Sequence, residues 1–508
     1  MEEHLNFFKE AVLLLIFLRL AALIYKYRNR ASLWPLPAAI GTSERKDVYQ
    51  DLPGWPLLGQ LPEVILNSRS LLEWNSRKER TYGLGFSVTL PGMRLIEISR
   101  PDWIEHVQKT NFQNYVKGNF FREVMSDVFG QGIFVADGAK WKSTRQVTAR
   151  ILNAHNFRTI VAPAIHDTLR AFNDLLEVKA NEGSIVELDD FFHRFTLEAF
   201  IQMTRPRPGR SSIPFHMHST LFRDNLTFGS SLLPSQRILE AETPRDLLGL
   251  FMEFSDEKGV SLSRDELKDS ALNLIIAGRD TTAQALSWTF FHLTKRPELL
   301  VPIREEIARL IPNDDVMVDY DSYKQFTNVL AVFYEALRLH PSVPKNAKFA
   351  LNHDKLPDGP LIQPGDCLRW RSDWQMARDP NIWGLDCAEF KPSRWIDPDG
   401  KLKQYGQWKF HAFNGGPRIC IGMHLGTMEA VGVIVEIARR YDLQFAPGWL
   451  SRVPKIEKIT PQCTEQTPKY GSSLTLPMAE RMELILTTRD KGSAQCIEST
   501  AESCHKVN

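Results

Sequence analysis

One ten-residue loop limits this chain more than any other feature: FNGGPRICIG, from Phe413 to Gly422, which runs straight into the apolar-periodic segment MHLGTMEAVGVIVEIARRY. Gly415, Gly416 and Pro417 force a tight, non-helical turn, because glycine reaches backbone angles closed to other residues and proline fixes its own. Arg418 stands two residues before Cys420, and Gly422 two after it. The cysteine therefore lies where a rigid loop meets a helix N-terminus. There, backbone N–H groups and the helix dipole favour an anion, here a thiolate. Such a sulfur can ligate a metal, which would deprotonate it further. It can also act as a nucleophile, or simply be buried.

The other cysteines, Cys367, Cys387, Cys463, Cys496 and Cys504, are scattered without a C-x-x-C pair. That pattern suggests neither a zinc site nor a disulfide scaffold, and reads as free thiols in a reducing compartment. A nucleophilic Cys420 would need a histidine base, and His411 and His424 carry no orienting pattern. A formal net charge of +1 gives no reason to expect a nucleic-acid partner. The length of 508 residues is ample for a large core.

Three further motifs accompany the loop. The run Ala277-Gly278-Arg279-Asp280-Thr281-Thr282 lies in a helical segment that opens with a capping box, Ser263-x-x-Glu266, and stops before Pro297. Such a helix has about 30 residues and is roughly 45 Å long, enough to cross a domain. Ala277 and Gly278 are small, so a flat group can approach the helix backbone, and Asp280 and Thr281 form an acid–alcohol pair. Next, Glu335-Ala336-Leu337-Arg338 places opposite charges three apart on one helix face shortly before Pro341. Finally, Trp141 and Arg145 are spaced to share a helix face.

With F-x-x-G-x-R-x-C-x-G met at each fixed position, and the other motifs in order, the chain resembles the cytochrome P450 superfamily over roughly residues 50–490. The resemblance implies haem b, with Cys420 as the iron ligand and Phe413, Gly416 and Gly422 shaping its loop. It implies that Trp141, Arg145 and Arg418 donate to the haem propionates, and that Lys348 stands where the family often has another propionate-binding arginine. Thr281 and Asp280 would handle protons during oxygen activation. Glu335 and Arg338 would join Arg394, within FKPSRW, in a buried structural network. The strings GIFVADGAKWKSTR (132–145), LNLIIAGRDTTAQALSW (272–288), FYEALRLHPSVP (333–344) and FNGGPRICIG (413–422) are similar to the fatty-acid and alkane ω-hydroxylase branch. The implied activity is insertion of one oxygen atom of O2 into a C–H bond of an apolar small molecule, a long-chain fatty acid or alkane. A substrate from a secondary-metabolite pathway is the alternative, and a non-catalytic haem-binding relic is another. Electrons would come from a separate NADPH-dependent reductase.

The expected fold is mainly α with a small β-rich part, a single large domain behind an N-terminal membrane anchor. Residues 1–30 form the anchor: AVLLLIFLRLAALIY at 11–25 is apolar except for Arg19 and is followed by Lys26, Arg28 and Arg30. That charge order places the body in the cytosol, on a membrane such as the endoplasmic reticulum. A proline-rich linker fills 31–59, the haem-thiolate domain 60–490, and a polar, disordered tail 491–508. Phe86–Ser99 reads as strands around a Pro-Gly turn, and Leu474–Leu476 with Met482–Thr488 as a closing strand pair. Between Met203 and residue 262 the family usually has a longer helical lid; here TRPRPGRSSIPFHMHS has no helical period, so the lid is expected to be shortened or replaced.

Overall fold

The structure, a computed structural model, describes residues 49–55, 58–83, 85–204, 246–253, 263–370, 373–456, 466–471 and 473–489, with a few helical positions between 12 and 19. The first half contains strand β1 (Gln50–Asp51), helix α1 (Leu71–Tyr82), strands β2 (Gly85–Leu90), β3 (Met93–Ile98) and β4 (Tyr115–Val116), helices α2 (Gly118–Phe129), α3 (Gly138–Ile151) and α4 (Ala162–Asn181), strand β5 (Val186–Glu187) and helix α5 (Leu188–Met203). The second half contains helices α6 (Arg264–Lys295), α7 (Leu300–Leu310) and α8 (Thr327–Leu339), strands β6 (Asn346–Ala350) and β7 (Cys367–Trp370), helix α9 (Met423–Arg440), and strands β8 (Tyr441–Phe445) and β9 (Glu483–Thr488). Helix predominates and strand is minor, as the sequence suggests. Among the described residues no helix is long and apolar enough to cross a membrane. The expected anchor, linker and tail fall largely outside the described residues, as does most of the expected lid.

The Pro91-Gly92 turn joins β2 to β3 with Gly92 at φ +75°, a left-handed conformation that suits glycine. The hairpin belongs to a six-stranded sheet in the order β1-β2-β3-β7-β6-β4. A second sheet has the order β8-β9-β5. Here one expectation fails: residues 473–475 form bends and 476 is irregular, and β9 pairs antiparallel with β8 and β5 instead. The reason lies in where that backbone is used. Leu476 donates its N–H to the Ser342 carbonyl (3.0 Å) and accepts the Trp288 indole N–H on its own carbonyl (2.8 Å), and the Gln284 amide reaches the Thr475 hydroxyl (2.9 Å). Pro477 follows and has no N–H to offer a ladder.

Helix α6 is the axis of the molecule. Ser263 caps it, with both halves of the capping box present. From Thr282 to Thr294 each residue is buried, which is the pattern of a helix enclosed on all sides. It packs against α5, α8 and α9. Near its C-terminus His292 meets His340, which follows α8, with Nε2 atoms 3.0 Å apart.

Glu335, on α8, is fully buried and accepts from several donors. Arg338 donates Nε and Nη2 at 2.7 and 2.8 Å, the Trp395 indole N–H at 2.9 Å, the Lys391 amide at 2.8 Å and Arg394 Nε at 2.9 Å. Burial pushes the carboxyl up, but Arg338 and Arg394 outweigh it and hold the group below the usual carboxylate range. Arg338 also donates to the carbonyls of Ala377, Cys387 and Glu389. The structure thus brings Glu335, Arg338 and Arg394 into one network that ties α8 to the segment 377–395. Replacing one member of a buried ionic network leaves its partners unpaired and typically costs about 3–5 kcal/mol. Glu335→Gln is expected to lower the urea unfolding midpoint by an amount equivalent to that loss, with little change in slope. An unaltered midpoint would contradict the structural role.

Candidate active site

The Cys420 loop folds as its composition dictates, with one refinement: Gly416–Arg418 forms a single 3-10 turn within it. Gly416 has φ +64°, and a Cβ there would lie 2.5 Å from the Gln108 carbonyl oxygen, so a side chain is excluded on two grounds. Asn414 also takes a positive φ, and its side-chain amide donates to the Arg418 carbonyl (3.2 Å). The Cys420 N–H donates to the Phe413 carbonyl at 2.8 Å, closing the loop. Gly422 is the residue from which α9 starts.

Cys420 is surrounded by protein, yet its side chain has open space in front of it. Burial pushes the thiol up, against a hydrogen bond from the Gly422 N–H and the nearby Arg145 cation. Two residues later α9 begins and crosses α6. A Cβ at Gly426 would stand 3.0 Å from the Thr282 hydroxyl, and Glu429 hydrogen-bonds that same Thr282. The crossing brings the cysteine end of α9 to the Ala277–Thr282 stretch. There a Cβ added to Gly278 would meet nothing within 4 Å, which is open space on the flank of α6 one turn before its enclosed half. The Thr281 hydroxyl donates to the Ala277 carbonyl (2.6 Å), leaving its lone pairs free to accept. Asp280 is paired with Arg279 at 3.0 Å.

The remaining expected residues converge around a charge imbalance. Trp141 and Arg145 sit on α3; the Trp141 ring is covered by the Arg418 guanidinium at 4.5 Å and tilted against Phe112. Arg418 donates to the Ala136 carbonyl (2.8 Å) and to Asp137 (3.0 Å). Lys348, on β6, is 3% exposed and its ammonium has no hydrogen-bond partner among the described residues. Burial first, then Arg418 and Lys117, hold its pKa far below the ordinary lysine range. Burial and Arg418 likewise pull Lys117 down to about 8, and burial brings Arg418 down to about 10. Lys117 and Asp137 were not legible as site residues in the sequence. Asp137 is the carboxylate in the midst of these cations, accepting from the backbone N–H of Lys117 and Gly118 and from Arg122 as well as Arg418. Burial disfavours the charged form of each of these crowded cations, and a ligand that brings its own negative charges would offset that cost.

A nucleophilic cysteine is not what this geometry serves. The groups acting on the thiol are the Gly422 N–H and Arg145, neither of them a base. Both ring nitrogens of His411 are engaged by Asp373 (2.7 Å) and Gln108 (3.0 Å), and His424 Nδ1 lies 2.9 Å from the Tyr323 hydroxyl. A thiol at a helix start, with excess cations nearby, instead suits an iron porphyrin with its two carboxylates, the centre of a haem-thiolate protein.

The chain belongs to the cytochrome P450 family, whose model matches residues 50–204 and 230–466. The match breaks in the stretch where the lid is expected to depart from the family. The chain is 36% identical to cytochrome P450 monooxygenase cyp1 of Mycosarcoma maydis, over 93% of this chain and 79% of that protein. It is 30% identical to cytochrome P450 86B1 of Arabidopsis thaliana, over 80% of this chain and 83% of that one. Noroxomaritidine synthase of Narcissus aff. pseudonarcissus is 29% identical, over 80% of this chain and 88% of the relative. The family makes this an oxidoreductase, a monooxygenase that uses haem, O2 and a reductase partner on a hydrophobic substrate.

Glu429 is a buried acid that the sequence did not single out. Burial pushes its pKa up to about 8, against the Thr282 hydrogen bond, from an ordinary 4.5. Between those values the folded chain keeps a proton that the unfolded chain releases, so stability falls as pH rises through that window and is level above it. Glu429→Gln removes the titration. Its stability relative to the parent is expected to grow by roughly 1.4 kcal/mol per pH unit from pH 5 towards pH 8. Parallel stability–pH curves for the two proteins would contradict a protonated buried Glu429.

Proposed function

We propose that this chain is a membrane-held monooxygenase in which Cys420 ligates the haem iron and Trp141, Arg145, Arg418, Lys348 and Lys117 hold the haem carboxylates. The observation that carries the reading is the pairing of a thiol open to a protein-walled space with cations that lack compensating charge. Haem, held by Cys420 and these cations, would supply O2 binding and oxygen activation. The chain's part is positioning and proton supply. The α9 dipole and the Gly422 N–H favour the thiolate against the burial that opposes it, and a bound haem iron would complete the deprotonation. Thr281, with its proton committed to Ala277, accepts a hydrogen bond in the oxygen site, and Asp280 passes protons towards it.

The substrate class we favour is a long-chain fatty acid or alkane, hydroxylated at a C–H bond. It is supported by the likeness of residues 132–145, 272–288 and 333–344 to the ω-hydroxylase branch. A secondary-metabolite substrate is the second reading, favoured by the likeness to noroxomaritidine synthase. Residues 1–30 would hold the domain on the endoplasmic reticulum membrane, facing the cytosol. Of the described positions there, all helical and exposed, Val12, Leu14, Leu15, Phe17 and Leu18 present apolar side chains and Arg19 a charged one. The segment 203–262 would form a shortened lid.

The test is turnover with a membrane reductase and NADPH on two substrate panels, one of long-chain fatty acids and alkanes and one of ring-containing natural products. Hydroxylated products in the first panel alone are expected; products confined to the second would move the assignment to secondary metabolism. With the substrate in hand, Thr281→Ala should keep consuming NADPH while product per NADPH falls roughly tenfold or more. Unchanged coupling would remove Thr281 from the proton path.

A further inference from the structure

We propose that His193, on α5, is the port through which solvent protons reach Asp280; this rests on reading Asp280 and Thr281 as the proton path. Helix α5 is pinned over the Asp280 turn of α6, since the Thr196 hydroxyl lies 3.0 Å from the Arg279 carbonyl, within donating distance. His193 is one turn before Thr196 on the same face. Its Nε2 stands 3.8 Å from Asp280 Oδ1.

The tautomer follows from the other ring nitrogen. His193 Nδ1 lies 2.7 Å from the Asp189 carbonyl oxygen, which can only accept, so Nδ1 carries hydrogen in either charge state. The nitrogen that gains and loses a proton is therefore Nε2, the one that faces Asp280. At 3.8 Å the pair is not yet hydrogen-bonded, and a small swing of the carboxylate or one bridging water completes the path. Side-chain exposures of 16% for His193 and 32% for Asp280 leave both within reach of water, which a port requires.

The surrounding charges set the pair's balance. On its own helix His193 faces Asp189, whose Oδ2 is 3.6 Å from Nδ1 and whose Oδ1 accepts from Ser287 on α6. Asp190 on the same turn is paired with Arg194. From α6 it faces Asp280 and, through it, Arg279. Before β9, Arg481 pairs with Glu187 and acts on Asp189 and Asp190. Arg279 holds the Asp280 carboxylate but cannot release a proton at any working pH, so among these neighbours the imidazole is the group suited to transfer. Each transfer is balanced: the imidazolium gives its Nε2 proton to the Asp280 carboxylate, the carboxylic acid passes a proton past Thr281 to the oxygen atom that the monooxygenase reaction releases as water, and neutral His193 takes another proton from solvent. No electrons move. His193 acts through Asp280 and is a positioning and proton-supply residue.

The experiment compares the full-length holoenzyme with His193→Gln, Asp280→Asn and Thr281→Ala, reading product per NADPH across pH. His193→Gln should bind haem with the parent's absorption spectrum, lower coupling roughly threefold or more near neutrality, and flatten the fall in coupling at alkaline pH. If Thr281→Ala and Asp280→Asn uncouple while His193→Gln keeps the parent's coupling and pH profile, the port is wrong and the proton path stands. If neither Thr281→Ala nor Asp280→Asn uncouples, the proton path fails and the port with it.

Discussion

The rest of the structure depends on one buried carboxylate. Glu335 lies inside α8, where an unpaired charge would be ruinous, and it is tolerated because two guanidinium groups, an indole and a backbone amide close around it. Those donors come from distant parts of the chain, so satisfying Glu335 fixes the path of residues 377–395 against α8. Trp395, held by Glu335, stacks edge-on to Phe410 at 4.7 Å, and Phe410 in turn meets Phe413. Phe413 carries the carbonyl that accepts the Cys420 N–H. An ionic network thus positions a sulfur through a run of packed rings.

On the other side of the sulfur the molecule carries an excess of positive charge. Asp137 draws Arg418, Arg122 and two backbone amides together, but it does not balance Lys117, Lys348 and Arg145 as well. Burying cations without counter-charge costs stability, as their lowered pKa values register. Haem carboxylates placed there would offset that deficit, so haem binding is expected to stabilise the fold as well as equip it for chemistry.

How much was legible in the sequence follows from how local each signal is. The Cys420 loop, the Ser263 capping box, the Pro91-Gly92 hairpin and the α6 stop before Pro297 depend on neighbours a few residues apart, and each emerged with the expected form. The Glu335–Arg338 spacing was legible too, but its meaning needed Arg394 from across the domain. Lys117, Asp137, Glu429 and His193 were missed because no short pattern marks them: each matters through a residue far away in sequence. The assignment of Leu474–Leu476 to a strand failed for the same reason, since α6 and Ser342 had already taken the groups a ladder would use. Substrate class is the least legible property, because it depends on the lid side of the pocket and not on the cofactor chemistry.

The central claim is that Cys420 is a thiolate ligand to haem iron, and the most direct measurement is the difference spectrum of the reduced, CO-bound full-length protein. The account predicts a strongly red-shifted Soret band that is lost in Cys420→Ser. A band at the position typical of nitrogen or neutral-thiol ligation, or a red-shifted band that survives Cys420→Ser, would contradict it.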